Sequence, residues 1–136
     1  MIEARGLAPL LQVYDMPTAV QFYRDKLGFE VVTTSPPLGG EDRFHWCLLR
    51  LGNDELMLNT AYEFDDQRPP RADHDGARGH SDTCLFISCP DIDAAYNQLL
   101  ERGVAVKPPT VAPYGMKQLY LMDPDGFGLC FQWQAE

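Results

Sequence analysis

A chain of 136 residues with 45% hydrophobic and 23% charged residues is long enough to bury a core without metal or disulfide staples, and it fits one compact domain. The net charge of −9, with only 11 basic residues scattered along the sequence, excludes the clustered Lys and Arg that a phosphate backbone requires; neutral or cationic small molecules are the expected partners. No basic segment leads into a long apolar one at the N-terminus, and no apolar run reaches the roughly 18 residues of a membrane span, so the reading is a soluble, cytoplasmic protein with no membrane partner.

In chain order, Leu7 to Tyr14 is an apolar run of strand length. Asp15 is placed to cap a helix, and Pro17 is tolerated in a first turn, where its missing N–H costs nothing. Met16, Ala19, Val20, Tyr23 and Leu27 fall on one stripe at helical spacing, and Gly28 is the left-handed stop. Phe29 to Thr34 reads as a β-branched strand, Ser35 to Glu41 as a loop, and Arg43 to Leu51 as a strand. Gly52-Asn53-Asp54 makes a turn into a further strand from Glu55 to Thr60. The first unit, residues 1–60, therefore reads β-α-β-β-β.

Residues 61–82 are rich in Asp, Arg, Pro and Gly and hold His74 and His80. A linker of this length without periodicity is either a lid over a binding site or a plain connector. The second unit, residues 83–136, then repeats the order. Thr83 to Cys89 is a strand, Asp91 caps a helix whose stripe is Ile92, Ala95, Tyr96, Leu99 and Leu100, and Gly103 stops it. Val104 to Lys107 is a strand and Pro108 to Tyr114 a proline-broken loop holding at most a short strand. Met116 to Met122 and Phe127 to Trp133 are strands joined by the turn Asp123-Pro124-Asp125-Gly126. Two such units must bury faces against each other, and the crevice between them is the expected ligand site.

Cys47, Cys84, Cys89 and Cys130 all lie in apolar strand-like runs, without zinc-site spacing, and read as reduced core residues. His45 is expected on a strand, where it either faces the crevice or is partly buried.

The stretch Val13-Tyr14-Asp15 through Phe22-Tyr23-Arg24-Asp25-Lys26-Leu27-Gly28-Phe29, together with Asp123-Pro124-Asp125-Gly126-Phe127, resembles the vicinal oxygen chelate superfamily. That group holds glyoxalase I, extradiol dioxygenases, and the fosfomycin- and bleomycin-resistance proteins. The resemblance spans nearly the whole chain. It implies an α+β fold of two tandem βαβββ modules whose curved mixed sheets close around a cavity, commonly in a homodimer whose subunits may exchange modules. Function is less constrained, because one fold carries many activities.

Metalloenzymes of this superfamily hold a divalent cation with His, Gln or Glu on the first and last strands of each module. By the family's spacing those positions are Ala8, Cys84 and Cys130 here, with Met57 by internal symmetry or Glu55 by a shifted register. Ala, Met and two Cys do not make a site for a cation that favours imidazole and carboxylate. No metal or other cofactor is expected. Recruitment of Glu55, Cys84 and Cys130 for a soft metal, or of His45, His74 and His80, is the alternative. The departure resembles the bleomycin-resistance branch, which sequesters a drug and so confers antibiotic resistance. An aromatic or cationic ligand is then expected between the modules. Gln12, Trp46, Met57, Asn59, Cys84, Phe86, Tyr114, Cys130 and Gln132 are the candidate contacts, with Phe44 and Trp133 as further stacking candidates. The competing expectation is a lyase, isomerase or dioxygenase of the same superfamily with an atypical site, with Glu55 or His45 as catalytic candidates.

Overall fold

Both halves of the sequence build the same four-stranded sheet. The computed structural model describes residues 1–60, 62, 65–70 and 80–136. In the first module β1 (Leu10–Val13) lies parallel to β4 (Asp54–Thr60), followed by β3 (Trp46–Leu51) and β2 (Glu30–Thr34), both antiparallel to their neighbours. In the second, β5 (Cys84–Ser88) lies parallel to β8 (Gly128–Gln134), followed by β7 (Met116–Met122) and β6 (Thr110–Val111). Helix α1 (Met16–Gln21) leads from β1 towards β2, and α2 (Ile92–Glu101) from β5 towards β6.

The helix caps follow from the sequence. Asp15 accepts from the Thr18 amide and Asp91 from the Ala94 amide, each satisfying an otherwise unpaired N–H of the first turn. Past Gln21, α1 continues as a π-helical turn, Phe22–Lys26, in which the Leu27 amide reaches back to the Phe22 carbonyl. The extra residue in this turn does not break the apolar stripe: Met16, Ala19, Val20, Tyr23 and Leu27 are all buried. On α2 the stripe is narrower than expected. Ile92 and Leu99 are buried, whereas Leu100 turns out to solvent.

Strand alternation divides each sheet into two faces. Leu11, Val13, Cys47, Leu49, Leu56 and Leu58 point into the core from the first sheet, and Ile87, Leu119, Leu121, Leu129 and Phe131 from the second. Three sequence expectations change. Val104 to Lys107 forms no strand; Val104 and Val106 pack against the core, and the short strand appears at Thr110–Val111, beyond Pro108 and Pro109. Arg43 to His45 precede β3 instead of belonging to it, and Phe44 is buried in the core. Leu7 to Pro9 stand outside β1, although the Pro9 carbonyl still accepts from the Met57 amide.

The modules are joined by the Asp123-Pro124-Asp125-Gly126 turn. The Asp123 carboxylate accepts from the amides of Asp125 and Phe127 at 2.9 Å each and from the buried Tyr23 hydroxyl of the other module at 2.6 Å. The buried Asp125 carboxylate accepts from the Tyr14 amide at 2.8 Å. Burial raises the Asp123 carboxyl above its ordinary range, opposed by the Tyr23 hydroxyl, the two amides and the nearby His80. At the opposite ends of the helices Lys26 Nζ donates to the Arg102 carbonyl and Arg102 Nη1 to the Lys26 carbonyl. Each cation thus caps the other module's helix. Gly28 and Gly103, at φ 91° and 76°, end the two helical segments where these caps meet.

Replacing Tyr23 by Phe leaves one oxygen of a buried carboxylate without its donor and is expected to cost about 1–3 kcal/mol, read from urea unfolding at pH 7. The sign of the pH dependence is set by the bond: Tyr23 holds the Asp123 pKa down, so its stabilisation is full while Asp123 is ionised. That stabilisation shrinks as pH falls and Asp123 protonates. The difference between wild type and Tyr23→Phe should therefore narrow toward acid; a difference that widens there contradicts the assignment.

Candidate functional site

Each sheet has a second face that no helix of its own chain covers. On the first, the ladder aligns three rows: Gln12, Asn59 and Trp46; Leu10, Met57 and Leu48; then Glu55 and Arg50. On the second the rows are Ser88, Gln132 and Gln118; Phe86, Cys130 and Tyr120; and Cys84, Gly128 and Met122. Leu10 is 47% exposed, Phe86 52%, Tyr120 50% and Met122 58%. Apolar side chains in such contiguity on one face mark a binding surface rather than scattered exposure.

The second face carries a cavity of about 790 Å³. Cys84, Gln118, Tyr120 and Met122 line it, Gly128 forms its floor, and Lys107 is the one charged wall residue among the described residues. The glycine matters here: a Cβ at position 128 would meet Cys84 Sγ at 3.4 Å and the Thr83 carbonyl at 3.2 Å. Its absence leaves a notch between Cys84 and Met122. Above the notch Gln118 donates to the Tyr114 hydroxyl at 2.8 Å and to Gln132 Oε1 at 3.0 Å, while the Tyr120 hydroxyl donates to Gln118 Oε1 at 3.4 Å. The open face thus offers the Phe86 and Tyr120 rings, one exposed thiol and a string of neutral hydrogen-bonding groups, of which Tyr120, Cys84 and Gln118 line the cavity itself. The acidic excess of the chain does not gather there.

The four family metal positions separate on inspection. Ala8 offers no donor, and Met57 lies on the first sheet between Leu10 and Leu48. Cys130 is fully buried beneath the rings of its two ladder partners, Phe86 and Tyr120, which meet edge to face with centroids 6.2 Å apart. Burial, and the proximity of Cys84, raise its thiol pKa against the Tyr120 hydroxyl and the Leu119 backbone. The Cys84 thiol is likewise raised by burial. Both effects disfavour the thiolate a metal needs. Among the described residues no three of His, Cys, Asp and Glu stand close enough to share a cation. The donor set does not fit the family's divalent metal.

The catalytic candidates are otherwise engaged. Glu55 is ion-paired to Arg50 at 3.1 Å at the end of the first face. His45 sits in the bend before β3, its amide held by Ser35 Oγ at 3.0 Å and its carbonyl accepting from Thr60. His80 stacks on Phe127 with centroids 3.9 Å apart, and His74 lies outside the described residues. Trp133 falls on the helix side of β8, in a cleft with Val111 and the start of α2, so it is not a contact of the open face.

The nine sequence-derived contacts sort by sheet. Gln12, Trp46, Met57 and Asn59 share the first face; Cys84, Phe86, Cys130 and Gln132 share the second, with Tyr114 bonded into its network. The cavity on the second face takes all its walls from Ser81 to Gly128, so the four residues of the first face do not line it. Sequence reasoning missed Gln118, Tyr120 and Met122, although their period-two alternation with Leu119 and Leu121 signals that they share a face. The described residues 65–70 of the linker are strapped to the first module. Arg68 meets Asp15 at 2.6 Å and lies over the Tyr14 ring, whose hydroxyl donates to the Pro69 carbonyl.

Three comparisons bear on the chain. The model of a family described as the Glyoxalase/Bleomycin resistance protein/Dioxygenase superfamily matches residues 7–131. No curated protein matches. Among solved structures, TnmS3, an antibiotic binding protein from Streptomyces sp. CB03234, is similar at a TM-score of 0.70 and 24% identity, over 99% of this chain and 100% of that one. A glyoxalase/bleomycin resistance protein/dioxygenase from Nocardioides gives 0.71 and 19%, over 100% and 87%. A bleomycin-binding protein complexed with bleomycin gives 0.67 and 20%, over 98% and 100%. At these identities the likeness is one of fold.

The roof over Cys130 can be opened. In a Cys84→Ser/Cys89→Ser background, Tyr120→Ala is expected to make Cys130 react rapidly with a colorimetric thiol reagent, while Cys47, fully buried and pushed up to about 12, stays silent. Unchanged thiol reactivity would mean that the Phe86–Tyr120 pair is not what seals Cys130.

Proposed function

The chain belongs to the glyoxalase/bleomycin resistance protein/dioxygenase superfamily, and on that premise we propose that it binds, without a resident metal, a planar aromatic small molecule against the open face of the second sheet. One observation carries the reading: the positions where a chelating family member places metal ligands hold Ala8, Met57, Cys84 and Cys130, while the adjoining wall is Phe86, Tyr120 and Met122 beside a neutral Gln–Tyr network. Aromatic rings stack on such a wall, and Gln118, Gln132 and Tyr114 orient hydroxyl or carbonyl groups on the ligand. A cationic tail finds no carboxylate among the described walls of this cavity, where Lys107 is the charged residue. We therefore favour the aromatic over the cationic member of the expected ligand pair.

The same reading calls for a second copy. The cavity is open on one side, and the unmatched face of the first sheet offers Trp46, Leu10 and Met57 as its cover. A homodimer in which the first sheet of one chain lies across the second sheet of the other closes the site and buries both apolar faces. Two of the similar structures are named for binding, one as an antibiotic binding protein and one as a bleomycin-binding protein. Among the described residues no helix is long and apolar enough to cross a membrane.

The test is fluorescence titration with copper-free bleomycin and with a flat, hydroxylated aromatic such as a flavonol. Saturable quenching of tryptophan fluorescence is expected, since the dimer brings Trp46 to the cavity. Phe86→Ala should weaken binding about five- to tenfold, the loss of one aromatic contact. Stoichiometric nickel, zinc, manganese or iron in protein purified without chelator would overturn the metal-free reading. Quenching unaffected by Phe86→Ala would move the ligand off this face.

A further inference from the structure

A separate cavity of about 510 Å³ lies where the modules meet, between the β3–β4 turn, the end of β5 and the face of α2. Its floor is apolar, made of Leu27, Leu51, Ile87, Leu99 and Phe131, and Lys26 and Arg102 stand at its edge. These two cations differ from five of the other described basic residues of an acidic chain. Arg5, Arg24, Arg50, Arg68 and Lys117 each lie against a carboxylate. The side chains of Lys26 and Arg102, among the described residues, hydrogen-bond only to each other's backbone carbonyl; Asp25 bonds to Arg24, although the Lys26 charge also helps to hold its carboxyl low.

The Lys26–Arg102 edge of the cleft is locally positive. Two helix C-termini contribute roughly −0.5 each, which leaves about one positive charge from the two side chains. One N–H of each side chain is used in the reciprocal caps, so donors remain: an ammonium carries three and a guanidinium five. Asp54 offsets that remainder for the cavity as a whole, so the attraction is local to the Lys26–Arg102 edge and suits no more than a monoanion. Asp54 on the opposite rim would repel a second negative group, and the floor asks for an apolar body.

We propose that this cleft is a second ligand site, separate from the open sheet face, which takes a small amphipathic monocarboxylate. The carboxylate is held by Lys26 and Arg102, as charge-assisted donors hold an oxyanion, and the hydrocarbon part lies on Leu51, Ile87 and Phe131. The site is complete within one chain. It stands or falls independently of the aromatic site.

The experiment is an amide chemical-shift titration of the full chain with 1-naphthylacetate, with 1-naphthylacetamide as an uncharged probe of the same shape. Saturable shifts are expected at Leu51, Ile87 and Leu99, with the amides of Gln118 and Tyr120 unmoved. The acid should bind about fivefold tighter than the amide, as befits a partly exposed ion pair, and Arg102→Gln should erase that difference. Because Arg102 also caps a helix, Ala95→Leu provides a second variant. It narrows the cleft from α2 without touching either cation and should abolish the shifts. The proposal is overturned if no saturable shift appears at the junction, if shifts appear only on the open face, if acid and amide bind equally, or if Ala95→Leu binds like wild type.

Discussion

The arrangement of this molecule depends on a buried carboxylate in a hairpin turn. Asp123 is 6% exposed and Asp125 2%, and a charged group so placed is tolerable only if its oxygens are fully met. Two of the donors come from the turn's own backbone; the others, the Tyr23 hydroxyl and the Tyr14 amide, come from the opposite module. The same four-residue turn that closes the β7–β8 hairpin thus sets where α1 must sit against the second module. With that contact made, the far ends of the helical segments meet, and Lys26 and Arg102 cap each other's last carbonyls.

Because the modules join through helices and turns, each sheet gives one face to the core and leaves the other open. Period-two alternation then decides the chemistry. Leu129 and Phe131 enter the core while Cys130 between them faces outward, only to be roofed by Phe86 and Tyr120. A position that in a metal-chelating relative would carry a ligand has become the floor beneath an aromatic pair. Gly128, by lacking a side chain, turns the adjoining row into a notch.

Much of the fold was legible in particular residues. Asp15 and Asp91 cap helices, Gly28 and Gly103 end them, and the turn at 123–126 joins two strands, because these residues act on their immediate neighbours. Internal symmetry placed Met57 opposite Cys130, and the ladder registers agree: Leu10 pairs with Met57 as Phe86 pairs with Cys130. The misreadings share a cause. Val104 to Lys107 has strand composition but no strand partner, Phe44 lies just before the strand that was expected to hold it, and Trp133 has the right type on the wrong side of β8. Local pattern measures propensity and parity; it does not say whether a neighbouring strand is present.

The sequence by itself determined the doubled βαβββ order, the helix caps, the division of most strands into core and outer faces, and the loss of metal-binding side chains at the family positions. The first three rest on side-chain type and on periods of 2 and 3.6 residues, which are local, and the last on the spacing that the family resemblance implies. Only the tertiary structure decided that Gln12, Trp46, Met57 and Asn59 do not line the cavity of the second outer face, that Gln118, Tyr120 and Met122 complete its wall, and that Lys26 and Arg102 come together across 76 residues of sequence. Those outcomes depend on how two modules pack, and that is set by a few long-range bonds, the Tyr23–Asp123 contact foremost, which no stretch of sequence contains.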